Sequence, residues 1–89
     1  MIVDMALTVN VWAEFGAWVL NKFSDSHWKI ISEFDEEWNA KITFQCNDDK
    51  SSTLILKESD TVEHNMALFF NKVFVLCLIA QNIKDTQIN

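Results

Sequence analysis

Met66-Ala67-Leu68-Phe69-Phe70-Asn71-Lys72-Val73-Phe74-Val75-Leu76-Cys77-Leu78-Ile79-Ala80 reads as the middle of one long helix, running from about Asp60 to Asp85. At 100° per residue, Val62, Met66, Phe69, Phe70, Val73, Leu76, Cys77 and Ala80 fall on one broad face, which is the expected core face. A second set, Leu68, Phe74, Val75, Leu78 and Ile79, lies mostly on the opposite side, broken by Asn71 and Asn82. Asp60 followed by Glu63 resembles a capping box at the start, and Lys84 suits the negative end of the dipole.

A helix apolar all round is normally covered all round. A chain of 89 residues has little material for that, because so small a domain hides only about 60% of its unfolded surface. The second face therefore calls for cover by another segment, another chain or a membrane. A membrane span is not expected, because Asn71 and Lys72 interrupt a run that would need about 20 apolar residues. Two expectations stay open: burial inside a tight monomer, and a homodimer through Leu68, Phe74, Val75, Leu78 and Ile79. On either, the fold requires that face to be covered.

Upstream of this helix, Trp38 to Cys46 alternates without a break. Trp38, Ala40, Ile42, Phe44 and Cys46 are apolar or small, and Asn39, Lys41, Thr43 and Gln45 are polar. Period two over nine residues predicts a half-buried strand. Thr53 to Glu58 predicts a second, with Leu54 and Leu56 inward and Asn47 to Ser51 as the polar turn between them. His27 to Asp35 fits a strand on Trp28, Ile30 and Phe34. It also fits a helix on His27, Ile31, Phe34 and Trp38; the strand is preferred because its neighbour needs a partner.

A first helix is predicted from Asp4 or Thr8 to Phe23, packing through Leu7, Val11, Phe15 and Trp18, widened by Trp12, Val19 and Phe23. Gly16 reads as a tolerated helix glycine at a cost of about 1 kcal/mol relative to Ala, although it could admit a close neighbour. Ser24-Asp25-Ser26 reads as a turn. The fold class is thus α+β: an N-terminal helix, a two- or three-stranded antiparallel sheet and a long C-terminal helix (α-β-β-β-α), with both helices on one sheet face. Residues 1–89 make a single compact domain, with 86–89 a polar, fraying tail.

The formal charge of −6 disfavours direct contact with nucleic acid or anionic lipid and favours a basic protein partner. Met1-Ile2-Val3-Asp4 lacks the basic region of a secretory signal, so a cytoplasmic location is expected, with Cys46 and Cys77 as buried free thiols. Catalytic signatures are missing: there is no Gly-rich phosphate loop, no nucleophile elbow and no His-Glu-x-x-His. His27 and His64 are the only histidines, and neither has a partner by spacing. No enzyme activity, cofactor or metal site is expected.

What stands out chemically is Glu33, Asp35, Glu36 and Glu37, flanked by Trp28 and Trp38. The spacing is not that of a calcium loop. Such a run is ordinarily a solvated turn, but it can also dock Lys or Arg of a partner, with Trp28 or Trp38 as anchor. Either tryptophan also fits the inner side of the sheet. Asp48 and Asp49 would sit at the other end of the middle strand. The expected function is a small acidic binding protein that inhibits a basic or nucleic-acid-binding partner. Immunity proteins for toxins and small phage inhibitors of host defence share these gross features, a class-level analogy only. The alternative is a structural or chaperone-like homodimer assembled through the C-terminal helix.

Overall fold

The computed structural model describes residues 4–24, 26–46 and 51–88, with side chains as far as Ala80. The order is α1 (Met5–Ser24), β1 (Trp28–Phe34), β2 (Ala40–Cys46), β3 (Ser51–Leu56) and α2 (Val62–Ile88). The strands form one antiparallel meander, β1-β2-β3. The segment with two readings is therefore a strand, and the sheet has three strands.

Register explains why. Trp28 pairs with Cys46, Ile30 with Phe44 and Phe34 with Ala40. Across the next ladder Ile42 pairs with Leu54 and Ala40 with Leu56. Every apolar residue of the three strands except Ile31 and Ile55 thus falls on one face, and a slip of one residue would turn that whole set to solvent. Lys29, Glu33, Lys41, Gln45 and Thr53 take the other face, which stays open. The turn expected at Asn47–Lys50 lies outside the described residues.

Both helices lie on the apolar face. Phe69 of α2 sits at the junction, with its ring centroid 5.6 Å from Phe44 on the sheet and 6.1 Å from Trp12 on α1. Val9, Leu20, Ile42, Phe44, Leu56 and Phe69 are fully buried around it. Losing a ring at such a position costs about 3–5 kcal/mol. Cys46 and Cys77 are both free and buried in this same core. Burial pushes the Cys77 thiol pKa up.

At Gly16 α2 side chains pack tightly on α1. A Cβ there would lie 3.0 Å from Phe69 and 3.1 Å from Val73. The glycine is therefore part of the packing rather than merely tolerated, and its neighbours are side chains, not backbone.

The ends of α2 differ in two respects from the sequence reading. Asp4 caps α1, its Oδ1 accepting the Leu7 N–H at 3.2 Å. Thr61, rather than Asp60, caps α2: Thr61 Oγ1 accepts the His64 N–H at 3.1 Å. Asp60 closes the preceding turn instead, donating its N–H to the Lys57 carbonyl, and its carboxylate faces His64 at 3.9 Å. The helix also runs to Ile88, past the expected end at Asp85, so Lys84 is not in its last turn.

Two expectations about helix faces fail. Leu7, Val11, Phe15 and Trp18 form the outer side of α1, while Val9, Trp12, Gly16 and Leu20 pack inward. Phe23 is exposed as well. The helix carries two apolar sides, and the one with the small residue lies against Phe69 and Val73. Second, the far side of α2 is not covered within the chain. Phe74 is 64% exposed, and Val75, Leu78 and Ile79 are about half exposed, whereas Leu68 packs against the core. Met66, expected in the core, is also largely exposed. One sheet face and one neighbouring helix can bury only one side of a helix, and no other segment among the described residues lies over it. Among the described residues the fold therefore stands with that face bare, contrary to the requirement drawn from the sequence, and they do not bury it inside the monomer. Val62–Ala80, with mean hydropathy 1.4, is long and apolar enough to cross a membrane by length and composition alone. Its Phe69–Val73–Leu76–Cys77 side is nonetheless buried against α1 and the sheet.

Overpacking of a core contact costs about 1–3 kcal/mol. Gly16→Leu is expected to lose that much in urea unfolding. Gly16→Ala should stay within about 1 kcal/mol of the parent, its better helix propensity offsetting the tight contact. A Leu variant as stable as the parent would mean that the two helices are not packed as described.

Candidate functional site

The acidic segment becomes the β1–β2 turn, residues 35–39, and Asp35 organises it. The Asp35 N–H donates to the Asn39 carbonyl, and the Trp38 N–H donates to the Asp35 carbonyl, both at 3.1 Å. Its carboxylate accepts three more bonds: from the Glu37 N–H and the Asn39 N–H at Oδ1, both 2.9 Å, and from Asn39 Nδ2 at Oδ2, 3.1 Å. This is an Asx-type closure, in which an acidic side chain substitutes for backbone partners. Asn39 Oδ1 then accepts the Glu58 N–H at 3.0 Å, joining the turn to the β3–α2 connection. In that connection Asn65, buried in α2, donates to the Lys57 carbonyl at 2.9 Å. Its own Oδ1 has no partner among the described residues.

These bonds hold the Asp35 carboxyl below the ordinary value of 3.8. The Asn39 backbone N–H contributes most and the Asn39 side-chain amide next; slight desolvation opposes them and the Glu37 N–H adds to them. Asp35 thus acts within the turn, and the carboxylates left facing solvent are Glu33, Glu36 and Glu37.

Trp38 has φ 65°, in the left-handed region, and is the only non-glycine residue with positive φ among those described. Glycine or asparagine is the usual occupant of that position in a hairpin of this kind. A bulky side chain there costs about 1–2 kcal/mol. The indole is 56% exposed and leans on Phe34, with ring centroids 5.9 Å apart. Beside the turn lies a shallow hollow of about 310 Å³, lined in part by Glu33, Phe34, Asn39, Lys41 and Ile55.

Trp28, the other expected anchor, is a core residue at 9% exposure. Its indole N–H donates to Ser24 Oγ at 2.9 Å, and Ser24 Oγ in turn donates to the Leu20 carbonyl. Asn21 holds the Trp28 backbone from the side, accepting its N–H at 2.7 Å and donating to its carbonyl at 3.2 Å. Trp28 is accordingly withdrawn from the docking group. His27 and His64 are exposed and 37 residues apart in the chain, His27 just before β1 and His64 in the first turn of α2. Among the described residues, no three His, Cys, Asp or Glu side chains are grouped to hold a metal ion. Asp48 and Asp49 lie outside the described residues.

Asn39 and Asn21, which shape the turn and clamp the edge strand, were not singled out from the sequence. Asp35 and Asn39, four apart around two glutamates, are a turn signal that could have pointed to the first. Nothing local marks the second.

Comparison with known protein families, with characterised proteins and with solved structures finds no match.

A carboxyl whose folded pKa lies below its unfolded value stabilises the fold above the unfolded value, and that contribution disappears as pH falls through the folded one. The wild-type chain should therefore lose stability below about pH 3.8 through Asp35. Asp35→Asn, which keeps an acceptor oxygen but cannot titrate, should flatten that acid limb in denaturant unfolding series. Identical acid limbs for the two chains would remove Asp35 from its role in the turn.

Proposed function

We propose that this chain is a non-enzymatic binding protein that docks on a basic or nucleic-acid-binding protein partner and blocks it through the β1–β2 turn. Glu33, Glu36 and Glu37 would steer and pair with Lys or Arg of the partner, and Trp38 would be the buried anchor of the complex. The observation that carries this reading is Trp38 itself, a half-exposed indole held at a positive φ that its side chain disfavours. Strain of this kind is retained where the presented side chain has a use, and aromatic anchors ringed by charge recur at the centres of interfaces. The net charge of −6 supports the choice of a basic partner, through faster association with a cationic surface.

Fold and binding can be separated experimentally. Trp38→Asn relieves about 1–2 kcal/mol of backbone strain and forfeits about 0.5–1.5 kcal/mol of contact with Phe34, so its stability should stay within about 1 kcal/mol of the parent. Its capture of partner from host lysate should nevertheless fall at least tenfold. Glu36→Lys with Glu37→Lys should slow association and flatten its salt dependence. If both variants retain every partner with unchanged rates, the turn is not the docking element.

A further inference from the structure

The outer faces of α1 and α2 meet in one apolar surface. Leu7, Val11, Phe15 and Trp18 follow a 4-4-3 spacing along α1, and Phe74 and Leu78 lie one turn apart on α2. Phe70 bridges the two helices, its ring 5.8 Å from Phe15, which in turn lies 6.0 Å from Trp18. Leu7 is 63% exposed, and the others named in the two rows are between 45% and 64% exposed. At about half exposure, side chains of this size leave on the order of 600–700 Å² of apolar surface on one chain. That exceeds the roughly 300–600 Å² of the largest patch on an ordinary monomer. It approaches the roughly 800 Å² that each partner contributes to a stable interface of standard size.

We infer that this surface is the two-fold interface between two copies of this chain, with the α1 row as its seam. Leu7, Val11 and Phe15 form an i±4 ridge, and such a ridge packs into the groove of another helix. In an isologous contact the chain supplies that helix itself. Charge points the same way. Beside the seam α1 carries Glu14 and Lys22, one of each sign, with the capping Asp4 at its N-terminal end and the Lys22 ammonium 4.8 Å from the Trp18 ring centroid. Two chains of charge −6 can approach there without facing each other's acidic turns, which belong to the sheet layer. Asn71, exposed on the side that carries Phe74 and Leu78, suits a protein seam, where an amide can find a partner, better than hydrocarbon. The interface differs from the one drawn from the sequence, since it is centred on α1, and Leu68 is not part of it. It does not rest on the acidic turn.

Sedimentation equilibrium of the full chain between about 1 and 100 µM tests this. The expected mass is twice 10.3 kDa. Trp18→Glu and Leu7→Lys should each raise the dissociation constant at least tenfold. Ile31→Glu, on the open sheet face, and Trp38→Asn should leave it unchanged. Should Trp18→Glu fail to fold, Leu7→Lys at the far end of the seam still decides the matter. A mass of 10.3 kDa throughout overturns the inference. So does a dimer indifferent to both seam variants, or a monomer that floats with phosphatidylcholine vesicles, which would assign the surface to lipid.

Discussion

Phe69 is the contact on which the two layers depend. It touches Phe44 on the sheet and Trp12 on α1, and it occupies the space that a side chain on residue 16 would need. One ring thereby fixes the height of α2 above the sheet and its distance from α1. Phe70, 5.1 Å from Phe69 and steeply tilted to it, is half-buried: it packs edge-on against Trp12 and reaches the outer side, where it meets Phe15. The boundary between core and exposed apolar surface therefore runs through Phe70. With a single sheet face to cover, the chain has one inner layer, and each helix can bury only the side that reaches Phe69 and its neighbours.

That geometry explains which parts of the fold could be read in advance. In β2 the alternation from Ala40 to Cys46 has one solution, because a slip would expose Ile42 and Phe44 together. The same rule extends to β1 and β3 through their pairing, so three strands follow from one clean pattern. The core face of α2 was legible for a similar reason, since Phe69, Val73, Leu76 and Cys77 share one side. In α1 the rule fails. Leu7, Val11, Phe15 and Trp18 make as good a stripe as Val9, Trp12 and Leu20, and hydropathy alone cannot rank two apolar sides. Gly16 breaks the tie, because only the side that carries it lets α2 come close enough to seat Phe69 and Val73. Reading that glycine as a packing residue would have oriented the helix correctly.

The candidate site was legible as a composition and not as a geometry. Four carboxylates within five residues marked the turn, but they do not act alike. Asp35 spends its oxygens on Glu37 and Asn39 within the turn, whereas Glu36 and Glu37 are left to solvent. The distinction depends on a left-handed residue at position 38, which no property of tryptophan announces. The two tryptophans separate for an equally local reason. Trp28 stands opposite Cys46 inside the ladder and has Ser24 as a partner for its N–H, while Trp38 falls two residues before β2 begins. Alternation carried Trp38 inward on paper, and the turn ends that alternation at Ala40.

The acidic turn and the broad apolar surface are kept apart in this molecule. Glu33, Glu36 and Glu37 belong to the end of β1 and the turn after it, and Glu58 and Asp60 to the β3–α2 connection, which Asn39 ties to the same end of the sheet. The broad apolar surface lies on the outer side of the helices, the layer away from the open sheet face. A partner steered by the carboxylates would approach the end of the sheet, and a second copy seated on the helices would not obstruct it. On the proposed readings one assembly would then present two acidic turns. Where a target offers two matching basic patches, the second contact becomes intramolecular, and avidity rises by a factor set by the spacing of the turns rather than by any new side chain. Two separate surfaces, each modest alone, can in this way combine on one fold.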